Sequence, residues 1–338
     1  MEAQSMAWAD ELRGKALLLA DRMAVEMPLG WPRAVVVADL QYLIEGIASA
    51  MEFSCTGMVD RHFAWQKVRT IALGGSASAL EDLPETLLAA ASPQLSSDAV
   101  ACMRQVLSNV AVYVRHAVSV PPPELAPGSP AAAFLAAARS GDRLTLQGMV
   151  ACAADTVAFA EEVLEAVQRE VGRAWQIGQL TPPEEHLVSS LVHEILYGMS
   201  RRHPQLPANA PTVALVRCAG DEHSLGQAFF EFYLHAEGLR GHTMVVQQPQ
   251  EQALDRLRRL DPAAIAISCA SPGGLRAATS FLHRLRSTES FANSTILLGG
   301  SMLAGVPQLA TQLGADGGGG RGRATAAWLA SRMAVRAL

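Results

Sequence analysis

Thr212-Val213-Ala214-Leu215-Val216-Arg217-Cys218-Ala219-Gly220-Asp221-Glu222-His223-Ser224-Leu225-Gly226 decides how the C-terminal half of this 338-residue chain folds. Thr212–Cys218 is a short β-branched run of the kind a buried parallel strand needs. From Gln227 to Gly238 the spacing predicts a helix that turns Ala228, Phe229, Phe232 and Leu234 inward and stops at a glycine. The polar segment Asp221–Gly226 therefore falls on a first βα loop, at the carboxyl edge of a sheet, where open α/β folds place their ligands. Strand-like runs recur at Thr243–Gln247, Ala264–Ser268 and Thr295–Leu298, with helical stretches at Glu251–Leu260 and Gly274–Arg286 between them. Such alternation implies a doubly wound parallel sheet. A weak last strand is expected near Gly314–Gly317, then a helix over Arg323–Arg336. Gly317–Gly320 reads as a loop beneath a ligand, because no Lys-Ser/Thr pair follows it to make a phosphate cradle.

At that loop His223 can present one imidazole nitrogen to a metal. Asp221, two residues earlier, can accept the proton of the other nitrogen and fix the tautomer. A lone loop histidine is ordinarily just a polar residue, so the spacing has to carry the argument. Forty-one residues separate Gly226 from Ser268, and a Gly299-Gly300 pair follows. The pattern resembles the cobalamin-binding domain of methionine synthase, the corrinoid methyltransferases and the cobalamin photoreceptors, which share Asp-x-His-x-x-Gly, a spacer, Ser-x-Leu, a second spacer and Gly-Gly. The likeness covers about 210–338 and departs at Ala270, where Leu is usual. It implies a flavodoxin/Rossmann-like fold with His223 as the lower axial ligand of cobalt. Within the motif Glu222, Ser224 and Leu225 flank that ligand, Gly226 lets a nucleotide tail pass close to the helix, and Ser268, Ala270, Gly299, Gly300 and Gly317 lie along the slot that takes it.

A second pattern lies upstream, where Trp175 is followed after nine residues by Glu185-His186. It resembles the Trp, nine residues, Glu-His signature of light-sensing cobalamin proteins, carried on a four-helix bundle that caps the upper corrin face. The resemblance implies adenosylcobalamin as cofactor. An indole offers a flat apolar lid, and the Glu-His pair offers hydrogen-bond partners to an adenosyl group. Taken singly, Trp175 is a core residue on an amphipathic helix and His193, His235, His242 and His283 are packed or surface residues. The four helices are expected at Pro130–Arg139, Asp142–Ala153, Val157–Trp175 and Pro183–Arg202, from apolar residues at three- and four-residue spacing. Thr181-Pro182-Pro183-Glu184 reads as a capping box with proline in the first turn.

The leading 1–120 segment reads as all-α, with helices at about Ala3–Met27, Pro32–Met51, Val59–Leu73, Leu83–Ala91 and Ser97–Val118. A proline-rich, extended linker at 121–129 separates it from the bundle at 130–206 and the sheet domain at 210–338. The stretch Val59–Arg69, with Gly74-Gly75 and Leu80–Leu83, is similar to the leading globin-like domain of photocobilins, which holds biliverdin ahead of the same bundle and sheet. That resemblance implies a bilin near Arg61, His62, Trp65 and Arg69. The unadorned reading of Arg61, Trp65 and Arg69, one helical face, is a subunit contact.

Composition fits a globular protein: half the residues are hydrophobic, the net charge is −5 and the pI about 6.0, with no broad nucleic-acid footprint. No apolar run of membrane-spanning length and no signal peptide is expected. Five scattered cysteines, an odd number, argue against a disulfide framework and for a reducing cytoplasm. The expectation is a cobalamin-dependent light sensor, not an enzyme by itself. It would be a homo-oligomer with light-dependent assembly, or would signal to a separate protein effector. The alternatives are a corrinoid methyl carrier and a cobalamin-responsive antirepressor.

Overall fold

The computed structural model describes residues 2–26, 33–116, 120–218, 221, 223–247, 250–318 and 320–336. Two compact units divide the chain, residues 1–121 with 271–276, and residues 122–270 with 277–338. The first unit carries six helices, α1 (Glu2–Glu26), α2 (Arg33–Phe53), α3 (Thr56–Ala72), α4 (Ala77–Ala91), α5 (Ser97–Leu107) and α6 (Val110–His116). Their apolar stripes close on α2, whose Leu40, Leu43, Ile44 and Ile47 are at most 4% exposed. By length and hydropathy α2 could cross a membrane, contrary to the sequence expectation, yet its apolar residues build this core. The helix expected over Ser97–Val118 breaks into α5 and α6. Ser108 explains the break, since its hydroxyl donates to the Gln105 carbonyl and competes with the helical ladder. At α4 the helix starts at Ala77 rather than Leu83, because Ser76 caps it, and it runs on through Pro84. Lys67 is buried and donates to the Val114 carbonyl at 2.6 Å and to Arg115 at 3.3 Å, closing the C-terminal end of α6.

The second unit opens with the bundle: α7 (Pro130–Arg139), α8 (Arg143–Cys152), α9 (Thr156–Phe159) running through a π-helical turn at Ala160–Leu164 into α10 (Glu165–Gln176), and α11 (Pro182–Ser200). The capping box forms as read. Thr181 accepts from the Glu184 N–H, and the Glu184 carboxylate accepts from the Thr181 N–H. Before α7 the connector is pinned to the bundle. The Glu124 N–H donates to Glu170 at 2.9 Å, and Arg169 Nε pairs with the Glu124 carboxylate at 2.8 Å. Glu170 also holds Arg173, the two side chains being 9% and 8% exposed.

The chain continues through β1 (Thr212–Cys218), α12 (Leu225–Ala236), β2 (Arg240–Val246), α13 (Gln250–Leu260), β3 (Ala264–Ser268), α14 (Pro272–Arg286), β4 (Thr295–Gly299), α15 (Gln308–Gln312) and α16 (Gly322–Arg336). All pairings are parallel, in the order β2-β1-β3-β4. This is a helical domain followed by a doubly wound sheet, as the sequence implied. β2 begins three residues earlier than its apolar pattern, since pairing with β1 recruits the polar Arg240-Gly241-His242. The expected last strand is only a bridge between Leu297 and Gly317. There Asp316 takes the Ile296 N–H on its side chain and Arg286 on the same oxygen, so a side chain replaces part of a ladder. Phe134, Val167, Leu191 and Val192 of the bundle share one core cluster with Val213, Leu215, Phe232 and Tyr233 of the sheet layer. Each of these side chains contributes about 1.5–3 kcal/mol by burial.

Candidate functional site

The buried β1 ends in a loop whose organising group is Asp221, a carboxylate with no exposed side-chain area. Its Oδ1 accepts the His223 backbone N–H at 3.1 Å and lies 3.1 Å from the His223 ring Nδ1. Its Oδ2 accepts the Ala270 N–H at 2.6 Å, tying the β1–α12 loop to the β3–α14 loop. Burial pushes this carboxyl up, but the bonds from the His223 ring, Ala270 and the His223 N–H outweigh it and hold it below the ordinary carboxylate value. An ionised acceptor at Nδ1 places the imidazole proton there and the lone pair on Nε2. The His223 side chain is 72% exposed and projects from the loop. Among the described residues no group of three His, Cys, Asp or Glu could hold a metal ion.

The neighbouring loops interlock by hydrogen bonds. The Cys269 N–H donates to Gly299, and the Ser301 hydroxyl to the Ala270 carbonyl. Gly300 has φ +110°, and a Cβ there would lie 2.1 Å from the Cys269 oxygen; at Gly318 it would lie 1.7 Å from that of Leu298. Only glycine fits either place. Burial, then the Asp221 charge, pushes the Cys218 thiol up to about 12, which leaves it unreactive.

Beside this edge a cavity of about 630 Å³ runs down one face of the sheet. Ser268, Gly299, Gly300 and Ser301 line its upper end, and Leu215, Ala266 and Leu297 its floor. Leu225, Gly226, Gln227, Phe229 and Phe230 of α12 form one wall. Gly320, Gly322 and Thr325 form another, and Glu165, Gln168 and Arg169 of α10 the third. One turn beyond Phe229, the Tyr233 hydroxyl donates to Glu165 at 2.8 Å. The cavity thus collects Leu225, Gly226, Ser268, Gly299 and Gly300 from the expected set. Ala270 instead serves Asp221 with its N–H, and Gly317 is a bridge residue, so Gly318, Gly320 and Gly322 are the glycines of that stretch that line the wall. Ser224 lies 3.4 Å from His193 Nε2 on α11, and Glu222 falls outside the described residues.

The cap residues stand apart from the cavity lining. Trp175 is partly buried against the bundle core, on the same face of α10 as Gln168, seven residues earlier. Between them Gly172 is exposed, and a Cβ there would meet nothing within 4 Å. Glu185 takes the Ser189 hydroxyl at 2.7 Å and pairs with His186 Nδ1 at 2.8 Å, while the His186 side chain is 79% exposed. Spacing from Trp175 pointed to α10 but not to Gln168, Arg169 or Gln227, since polar residues inside an amphipathic pattern read as solvated.

In the first unit α3 brings His62, Trp65 and Arg69 together with Tyr42 of α2. The His62 ring centre lies 5.3 Å from Tyr42 and 6.3 Å from Trp65, and the Arg69 guanidinium sits 5.6 Å from the Trp65 ring centre. Burial pushes His62 down to about 4, so its ring is neutral. Arg61 is exposed.

Residues 131–197, which span the bundle, match the family described as B12 binding domain. No curated protein matches the chain. Among solved structures the chain is similar to the monomethylamine corrinoid protein of Methanosarcina barkeri, at 16% identity over 61% of this chain and 97% of that one, with a TM-score of 0.49. A cobalamin-binding protein from Desulfitobacterium hafniense is 18% identical over 62% and 99%, with a TM-score of 0.34. The methanol:cobalamin methyltransferase complex MtaBC of Methanosarcina barkeri is 18% identical over 61% and 78%, with a TM-score of 0.32. The family match supports a cobalamin-binding protein.

Proposed function

We propose that this chain holds cobalamin with its own nucleotide base off the metal, His223 beneath cobalt, the nucleotide tail in the cavity, and the face of α10 bearing Gly172 and Trp175 over the upper ligand. The observation that carries this is the Asp221-fixed His223 on the loop that leads, two residues on, into the Leu225–Gln227 wall of a cavity one of whose other walls, Glu165–Arg169, belongs to the B12 binding match. The residues fit the group. One histidine is enough for a metal that arrives in a macrocycle, the glycines let a tail lie against backbone, and the exposed Gly172 leaves room for a flat ring system.

Adenosylcobalamin, when bound, supplies a cobalt–carbon bond that light breaks. The chain's part is to keep the Asp221 carboxylate on Nδ1, to exclude water from the tail with Phe229, Leu215 and Leu297, and to set α10 by what Trp175 meets. A bundle placed by its upper-face contacts can shift a population of oligomer or effector contacts, and in this reading the protein is a light sensor inside the cell, not an enzyme by itself. Biliverdin against His62, Trp65 and Arg69, in a globin-like leading domain, would add a second chromophore. The second reading is a corrinoid methyl carrier that serves a separate transferase. It is favoured by the neighbouring corrinoid protein and the methyltransferase complex.

The test is an absorption spectrum of protein loaded in the dark with adenosylcobalamin and biliverdin, taken before and after illumination together with elution volume. A corrin band that photoconverts with altered elution supports the sensor, and an added red band the bilin. A bound but light-indifferent protein that accepts methylcobalamin selects the carrier, and absence of any corrin band overturns both.

A further inference from the structure

Residues 271–276, the first turn of α14 and the residue before it, belong to the first compact unit, whereas Ala270 and the rest of α14 belong to the second. The chain therefore passes from one unit to the other at the residue whose N–H serves Asp221. Charge holds the segment in the first unit. Arg276 donates from two guanidinium nitrogens to the two oxygens of Asp10 on α1, one of them at 3.0 Å, and its Nε lies 3.5 Å from Glu52 on α2. Arg13 of α1 completes the set, 2.7 Å from both Glu45 and Glu52 and 3.3 Å from Asp10. The Arg13 and Glu52 side chains are 15% and 9% exposed, so the network differs from the solvated surface pairs that contribute little. Two guanidiniums answer three carboxylates, and loss of either leaves one cation among three acids.

Uncharged contacts hold the same segment. The buried Ser49 hydroxyl of α2 donates to the Pro272 carbonyl at 3.2 Å, and Pro272 lies over Gly46, where a Cβ would sit 3.9 Å from its ring. Ser271 caps α14, its hydroxyl accepting the Gly274 N–H at 3.1 Å. The conformation of Ser271–Arg276 is thus set by α1 and α2. A planar peptide joins it to Ala270, which inherits that setting. From there the path to the site is two hydrogen bonds long: the Ala270 N–H reaches Asp221 Oδ2 at 2.6 Å, and Asp221 Oδ1 lies 3.1 Å from the His223 ring Nδ1.

We propose that Arg276, held by Asp10 and Glu52, is a positioning residue for His223, acting through Ala270 and Asp221, and that the leading helical unit thereby controls the metal-binding loop. The inference rests on the cobalamin reading of that loop. By linkage, any change in the first unit that frees Arg276 weakens ligation at His223, and a ligand on His223 favours the clamped segment by the same factor.

The test has two readouts on the full chain: amide hydrogen exchange without ligand, and equilibrium titration with cobalamin followed through the His-ligated spectrum. Arg276→Met keeps the stem and removes the charge. It should speed exchange at Ala270 by about tenfold or more, leave the bundle-core amides of Leu164 and Val192 unchanged, and weaken cobalamin about 2- to 30-fold, the span of mutations along a coupling network. Ser49→Ala, a neutral change, should act in the same direction and more weakly, and Arg276→Lys should recover part of both effects. Unaltered Ala270 exchange in Arg276→Met, or equal acceleration at Ala270, Leu164 and Val192, would overturn the proposal. So would faster Ala270 exchange with unchanged cobalamin affinity. Wild type that binds no cobalamin would end the cobalamin reading, and exchange at Ala270 would then decide the link from Arg276 to Asp221 by itself.

Discussion

At the scale of single residues the site is governed by one carboxylate with three donors. Asp221 is worth more as an organiser than as a charge, because each oxygen is committed to a different loop. Asp221→Asn keeps the shape but presents an amide to Nδ1, so it should weaken cobalamin by about 10–100-fold, the range for lost support of a metal ligand. His223→Ala should abolish the His-ligated spectrum, and an unaltered spectrum would remove His223 from the metal. Sequence showed this pair because the chemistry is local, two residues apart on one loop. Gln227 gave no such signal, since only the fold reveals that its Nε2 is buried with no hydrogen-bond partner among the described residues.

Among the elements, α10 and α11 are the ones that the proposed reading sets over the upper face of a ligand. The start of α11 was fully legible, because a capping box is written in four consecutive residues. The Thr181 N–H, then Arg139 and the Thr181 hydroxyl, hold Glu184 down to about 2, well below its ordinary value of 4.5. A depressed carboxyl stabilises the fold when ionised, so its contribution is complete above about pH 4.5 and is lost as pH falls towards 2. Melting curves of wild type and Glu184→Gln should therefore differ by a constant amount near neutrality and converge in acid. Parallel curves down to pH 2 would show the box to be idle. The π-helical turn before α10 was not legible, since an extra residue in a turn leaves the apolar pattern nearly intact. Trp175→Ala should alter upper-ligand preference or photoconversion and spare the His223 spectrum; identical photoproducts would make Trp175 a packing residue only.

For the whole molecule, strand and helix order followed from pattern, and the misses have physical causes. The weak strand at Gly314–Gly317 failed because the Asp316 side chain takes over a ladder position. The long helix over Ser97–Val118 failed because Ser108 binds its own backbone. The proline-rich connector was read as a stiff spacer, but Glu124 anchors it to the helix that carries Trp175. Glu170 is held below the ordinary carboxylate value by Arg173 first and by the Glu124 N–H as well. Anyone transplanting the bundle and sheet onto another protein should therefore not cut at Pro130, where the first helix begins. A graft starting there leaves Glu170 short of a donor and should melt earlier, by about 1.5–3 kcal/mol of stability, than one starting at Pro122. The portable unit carries its own leash, and the seam for recombination lies on the far side of Glu124.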